Sequence, residues 1–164
     1  MRVAAVIRLV LLGDGARKAA LVADPAARGL DNLLFLDSVP KDQVPRYWSL
    51  LDVSVIHLRK TELFGTVIPS KLFECMGMGI PVLHGVAGES AEIVRREGVG
   101  VVFESENARQ LVDALLLLRG DPVRYAELRE NCLRAAPRYD RKVLAGRMLG
   151  LIERLAEPLG GRRI

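Results

Sequence analysis

Apolar residues in the first two thirds of this chain fall in short unbroken runs, and the runs are separated by turns rich in glycine, proline or aspartate. Ile7 to Leu12, Leu33 to Leu36, Asp52 to Leu58, Ile80 to Leu83 and Val99 to Phe103 each read as a strand covered on both faces. Between them, Ala16 to Ala23 has helical composition, and Ser38 to Val44 turns into a helix through Tyr47 and Trp48. Pro69 opens a short helix closed by Gly77 and Gly79, and Glu89 or Ser90 opens another. His84 to Ser90 reads as the glycine-bearing loop before that last helix. After Phe103 the period changes to that of helices. Leu111, Val112, Leu115, Leu116 and Leu118 stripe the first, with Ser105 or Asn107 as its cap. Tyr125, Leu128 and Cys132 face inward on the second. Leu144, Met148, Leu151, Ile152 and Leu155 fall on one side of the third. Strands alternating with helices through short turns predict an α/β domain with a doubly wound parallel sheet, Rossmann-like, whose ligands bind at the carboxyl ends of the strands. Residues 1–157 form that domain in this reading, and 158–164 a disordered tail.

Composition narrows the function more than the fold. The 164 residues are 50% hydrophobic and 5% aromatic, with a net charge of +4. Basic residues alternate with acidic ones, as in Arg95-Arg96-Glu97, so the clustered charge and interleaved aromatics of a nucleic-acid binder are missing. Cys75 and Cys132 read as buried small hydrophobes and not as a disulfide. The opening Met1 to Val6 lacks the pattern of a signal peptide, and no apolar run reaches membrane-spanning length. The expectation is a cytoplasmic protein, with a weak attraction to the inner membrane surface through the last two helices.

The chemistry concentrates in Phe64 to Gly85, where loop, helix start, turn and strand follow one another. Pro69 suits a first helical turn, and Ser70 and Thr66 are candidates to accept from its orphan N–H groups. Lys71 and Glu74 are three residues apart and share a face. Leu72, Phe73 and Met76 are left to point toward a sheet. A helix N-terminus, a lysine and a carboxylate thus converge as a seat for a nucleotide's phosphates. A solvated Lys71–Glu74 pair is the plainer alternative. Gly13-Asp14-Gly15, between strand and helix, is a weak dinucleotide fingerprint and reads first as a turn needing positive φ. Arg59 and Lys60 fit either a charge-assisted contact or a solvated loop, His57 a satisfied strand-end histidine, and Trp48 a packing residue.

The run P-S-K-x-F-E-x-x-x-x-G-x-P-V, from Pro69 to Val82, resembles the donor-nucleotide motif of glycosyltransferase family 4, in its Pro-Ser-Lys branch, and the likeness extends from about Leu9 to Arg154. The resemblance implies the carboxy-terminal, donor-binding half of a GT-B enzyme. It assigns Glu74 to the ribose hydroxyls and Lys71, with the backbone of Gly65, Thr66 and Val67 and with Ser70, to the diphosphate. Lys71 and Glu74 are its catalytic candidates. Gly13 and Gly15 stand beside the donor, and Ser38 and Val39 at the edge of the base. The family's first glutamate would fall at Thr66. Glu62 imitates it four residues early. Gly88 and Glu89 correspond to a loop that orients a nearby helix end.

The same resemblance implies that the first strand–helix unit of the donor domain, with its diphosphate-neutralising arginine and lysine, and the whole amino-terminal acceptor domain lie outside this chain. It implies a retaining hexosyltransferase that moves a sugar from a UDP- or GDP-linked donor to a polysaccharide or lipid-linked acceptor. No metal or further cofactor is expected. The partners expected are the nucleotide-sugar and an acceptor domain or companion chain, and apolar surface left by the absent unit could drive self-association. A non-catalytic nucleotide- or partner-binding module, and a sugar-nucleotide epimerase domain, are the alternatives.

Overall fold

The computed structural model describes residues 7–27 and 29–156, so the expected tail at 158–164 lies outside the described residues. They gather into two compact units, one up to Tyr47 and one from Trp48.

The first unit is a single strand–helix–strand. β1 (Leu9–Leu12) and β2 (Leu33–Leu36) pair in parallel with Leu9 opposite Leu33 and Leu12 opposite Leu36, joined by α1 (Lys18–Ala27). α1 starts later than its composition suggested because the glycine turn continues to Lys18, whose N–H donates to the Gly15 carbonyl at 3.0 Å. The helix α2 (Val44–Trp48) then follows. Among the first unit's described residues none is buried.

The second unit carries the core. β3 (Ser54–His57), β4 (Val82–Gly85) and β5 (Gly100–Val102) form a parallel sheet in the order β3-β4-β5. His84 and Gly85, read from sequence as loop, belong to β4: Ile56, His84 and Val102 stand in register across the three strands. Apolar side chains cover both faces. One cluster joins Ile56, Val82, Val86 and Val99 to Leu72, Cys75 and Met76 of α4 (Ser70–Met78) and to Ile93 and Val94 of α5 (Glu89–Glu97). The other joins Leu83 and Phe103 to Ala114 and Leu118 of α6 (Ala108–Gly120) and Leu128 of α7 (Pro122–Ala135). Each fully covered Val, Leu or Ile stabilises by about 1.5–3 kcal/mol. Trp48 packs against the first cluster, as expected, and Cys75 and Cys132 are buried and unpaired.

Local chemistry sets the ends of these elements. Asn107 and Asp121 accept from the N–H groups of Gln110 and Arg124, capping α6 and α7. Gly79 ends α4 at φ +65°, whereas Gly77 stays inside the helix. In α6 the inward face is Leu111, Ala114, Leu115 and Leu118, and the expected Val112 and Leu116 are exposed. After a 3-10 turn (Ala136–Tyr139) comes α8 (Arg141–Ala156), with no buried residue. Its apolar stripe is uncovered: Met148 is 64% exposed and Leu155 85%. Among the described residues no helix is long and apolar enough to cross a membrane.

Candidate functional site

The segment between β3 and α4 departs from the expected loop. Glu62–Gly65 form one helical turn, α3, capped by the Thr61 hydroxyl, which accepts from the Phe64 N–H. This turn takes up the amides that the resemblance gave to a diphosphate. Gly65 N–H donates to Thr61 O, Thr66 N–H to Leu63 O and Val67 N–H to Phe64 O, at 3.1–3.3 Å. The Thr66 hydroxyl donates to Leu63 O at 2.8 Å and does not cap α4. Glu62 sits in the first turn of α3, exposed.

α4 opens differently. Its N-cap is Pro69, at φ −65° and ψ 126°, and no side chain caps it, Ser70 included. Leu72 N–H returns to Pro69 O at 3.0 Å, while the N–H groups of Ser70 and Lys71 meet no acceptor among the described residues. The nine-residue helix therefore presents an open, positively polarised end. Ser70, Lys71 and Glu74 are all exposed, because Leu72, Cys75 and Met76 take the buried face. Lys71 and Glu74 make no ion pair with each other or with any other described residue. Ser70 and Glu74 line a groove of about 730 Å³ together with Ile68, Phe73 and Tyr139. Phe73 is half-buried against the first core cluster and stacks on Tyr139 with ring centres 4.9 Å apart. Tyr139 is fixed in turn by its hydroxyl, which donates to Glu97 at 2.7 Å.

In the first unit, Gly13, Gly15 and Ser38 do meet at the carboxyl ends of β1 and β2. Gly13 has φ +142°, the positive-φ turn expected of it, and its N–H donates to Leu36 O at 3.1 Å. Sequence reasoning passed over the residues that tie this cluster. The Asp14 carboxylate accepts from the Ser38 hydroxyl, from the Ser38 N–H at 3.1 Å and from Lys18 Nζ at 2.9 Å. Lys18 Nζ also reaches Asp37 at 2.5 Å. The Ser38 hydroxyl and then Lys18 hold the Asp14 carboxyl down to about 2, and Asp37 raises Lys18. The available signal was an acid at i and a lysine at i+4 across the glycine turn. Val39 is half-buried beside this cluster in sequence.

A third cluster, also missed, lies past β5. Ser105 Oγ donates to Gly85 O at 2.7 Å, and Glu106 N–H donates to His57 Nε2 at 3.0 Å. Lys60 Nζ reaches Glu104 at 2.7 Å, so Lys60 is ion-paired and Arg59 exposed. Behind it, His84 is wholly buried, with Nε2 2.9 Å from Ser90 Oγ and Nδ1 without a partner. Burial, and secondarily the Arg95 charge, push His84 down to about 4. Among the described residues no three His, Cys, Asp or Glu side chains converge as a metal site requires.

The sequence profile of the family described as "Glycosyl transferases group 1" matches residues 2–121. The D-inositol 3-phosphate glycosyltransferase of Thermobispora bispora is 28% identical over 138 residues, which are 83% of this chain and 31% of that protein. The crystal structure of Anabaena Alr3699/HepE in complex with UDP-glucose superposes with a TM-score of 0.73 at 20% identity, over 89% of this chain and 40% of that one. WaaG, a glycosyltransferase involved in lipopolysaccharide biosynthesis, superposes with a TM-score of 0.66 at 18% identity, over 88% of this chain and 38% of its own. This chain thus spans about a third of the curated relative and about two fifths of the solved structures. The fold is the Rossmann-like carboxy-terminal domain of the GT-B glycosyltransferases.

Proposed function

Because the chain belongs to the glycosyl transferases of group 1, we propose that it is the donor-nucleotide-binding half of a retaining glycosyltransferase, acting on a polysaccharide or lipid-linked acceptor. One observation carries the reading: at the uncapped end of α4 the side chains of Ser70, Lys71 and Glu74 are exposed and meet no hydrogen-bond or ion-pair partner among the described residues. The diphosphate lies against that end, held by the outward amides of Ser70 and Lys71 and by the helix dipole. Lys71 neutralises the charge that develops on the leaving nucleoside diphosphate. Glu74, one turn in, accepts from the ribose hydroxyls. The amides of Gly65, Thr66 and Val67 are already paired, so the seat uses the start of α4 and not α3.

The exposed stripe of α8 supports a division of labour. It offers an apolar surface to the domain or companion chain that brings the acceptor and the remaining catalytic groups. The neighbour complexes with UDP-glucose and UDP make a UDP-linked hexose the first donor to try. Calorimetric titration of the chain with UDP and GDP tests the seat. Glu74→Gln is expected to weaken binding of the preferred nucleotide about tenfold, a loss of about 1.4 kcal/mol, with an unchanged unfolding midpoint. Absence of any nucleotide binding at millimolar concentration overturns the reading.

A further inference from the structure

The groove of about 730 Å³ has Ser70, Phe73 and Glu74 of α4 and Tyr139 of the 3-10 turn among its walls. Leu72, Cys75 and Met76 fix the axis of α4 from its buried face, where apolar contacts give a carboxylate nothing to bond. The Glu74 carboxylate ends a flexible exposed side chain and meets no hydrogen-bond or ion-pair partner among the described residues. The walls of the groove are therefore what limits its rotamers. One of those walls is itself tightly held. Glu97, at the end of α5, has a side chain only 10% exposed. It accepts from the Tyr139 hydroxyl at 2.7 Å, from Arg96 Nε at 3.3 Å and from Arg138. Arg96 also donates to the Tyr139 hydroxyl, at 2.9 Å. The hydroxyl thus both gives and takes a hydrogen bond, and the half-buried ring is tethered in one orientation. Its face lies on Phe73, with 25° between the ring planes, and Phe73 is the residue before Glu74. This chain of contacts joins α5, the 3-10 turn and α4, all within the second unit.

We propose that Tyr139 is a positioning residue for Glu74: anchored by Glu97 and stacked on Phe73, it holds the groove at the width in which the Glu74 carboxylate meets a ribose. The proposal rests on the reading of Glu74 as the ribose ligand and deepens it. Tyr139 acts through Phe73 and the shape of the groove. An unpaired glutamate samples several rotamers, and every one unsuited to the ribose lowers affinity. A wall fixed by a nearly buried carboxylate removes some of those rotamers before the ligand arrives. The outward amides of Ser70 and Lys71 belong to the backbone of α4, so the diphosphate does not depend on this wall. The two parts of the ligand should therefore respond differently to a change at Tyr139.

The experiment titrates the whole chain by calorimetry with UDP, 2′-deoxy-UDP and inorganic pyrophosphate. The unchanged chain is expected to prefer UDP over 2′-deoxy-UDP about tenfold, the worth of a charge-assisted bond to the ribose. Tyr139→Leu, which removes both the ring and the hydroxyl, is expected to bring that preference to about one. Tyr139→Phe keeps the stack and loses only the tether, and is expected to restore the preference to about threefold. Pyrophosphate affinity stays within about twofold throughout. If Tyr139→Leu does not fold, Tyr139→Phe, which opens no cavity, decides. A preference of about tenfold that survives in the deciding variant overturns the proposal. So does a loss of pyrophosphate affinity in parallel with that of UDP, which marks a purely structural role. If the unchanged chain binds pyrophosphate but does not distinguish the nucleotides, the assignment of Glu74 to the ribose falls and the positioning role with it. If it binds neither, the seat at α4 falls as well.

Discussion

The two units of this chain repeat one motif, a strand, a glycine-bearing turn and a helix, yet hold it together in different ways. In the second unit the turn between β4 and α5 sits over a packed interior, with Val82, Val94 and Val99 wholly buried. In the first, none of the described residues is buried, and the β1–α1 turn is fastened by polar groups, Asp14 to Ser38 and Lys18, and Lys18 to Asp37. Apolar burial has no charge of its own for acid or screening to remove, whereas exposed charge-assisted bonds respond to both. The second unit should therefore fail by loss of packing and the first by loss of charge.

The hardest way to break this comparison is to attack the core. Val94→Asp places a carboxylate among Leu72, Met76 and Val99 with no partner, and is expected to cost about 4 kcal/mol or more, enough to unfold a domain of ordinary stability. Loss of the cooperative transition in a urea titration followed by far-UV circular dichroism checks this. A midpoint close to that of the unchanged chain would mean that the second unit is not held by its interior.

Next in size is His84, the buried group of that core that takes up a proton on the acid side of neutrality. Its pKa is about 4 in the fold, against about 6.5 in an unfolded chain. Between these values the unfolded state binds more protons, so stability is level above pH 6.5 and falls as the pH drops toward 4. A shift of this size corresponds to about 3 kcal/mol across that window. Thermal melts at steps from pH 7 to pH 4 should show the fall, and His84→Gln should flatten it. Ser90 and Arg95 are the groups to keep unchanged, because Ser90 holds Nε2 and the Arg95 charge adds to the penalty.

How much of this was legible in the sequence follows from what kind of force sets each feature. The five strands were readable because a buried parallel strand needs an unbroken apolar run, and α4 because Pro69 and Gly79 mark its ends. His84 and Gly85 were misassigned because a polar residue and a glycine look like loop. What places them in β4 is pairing with residues distant in sequence, together with the Phe103 ring, which leaves no room for a Cβ at Gly85. The same limit hid Glu104, Ser105 and Glu106, whose partners Lys60, Gly85 and His57 are distant in sequence. It also explains α5 and α8. Both have a regular apolar stripe, but Val94 is wholly buried and Leu155 is 85% exposed. Periodicity names the face that wants cover and is silent on what covers it. Glu74 and Lys71 are both exposed on α4, because the neighbouring Leu72, Cys75 and Met76 are visibly apolar and take the buried face. That α3 would take up the amides of Gly65 to Val67 could not be foreseen from a Phe-Gly-Thr run that reads as loop.

The smallest effect, and the sharpest test of the contrast, belongs to Asp14. Asp14→Asn keeps the shape of the side chain and removes its charge, so it weakens the bonds from Ser38 and Lys18 without opening a cavity. No apolar burial is lost, and the global unfolding midpoint is expected to stay where it is in the unchanged chain. The local consequence is larger. The Ser38 N–H, which donates to Asp14 at 3.1 Å, loses its protection, and its hydrogen exchange should quicken in the variant while that of Val82 and Val99 does not change. Acid should act in the same direction on the unchanged protein. With Asp14 held at about 2 against 3.8 unfolded, its contribution is present above pH 3.8 and is lost as the pH falls through 2. Salt, by screening, should reproduce part of the effect at neutral pH. If instead Ser38 and Val82 respond together to Asp14→Asn, the first unit is not fastened by its charges and the two units do not differ in the way described.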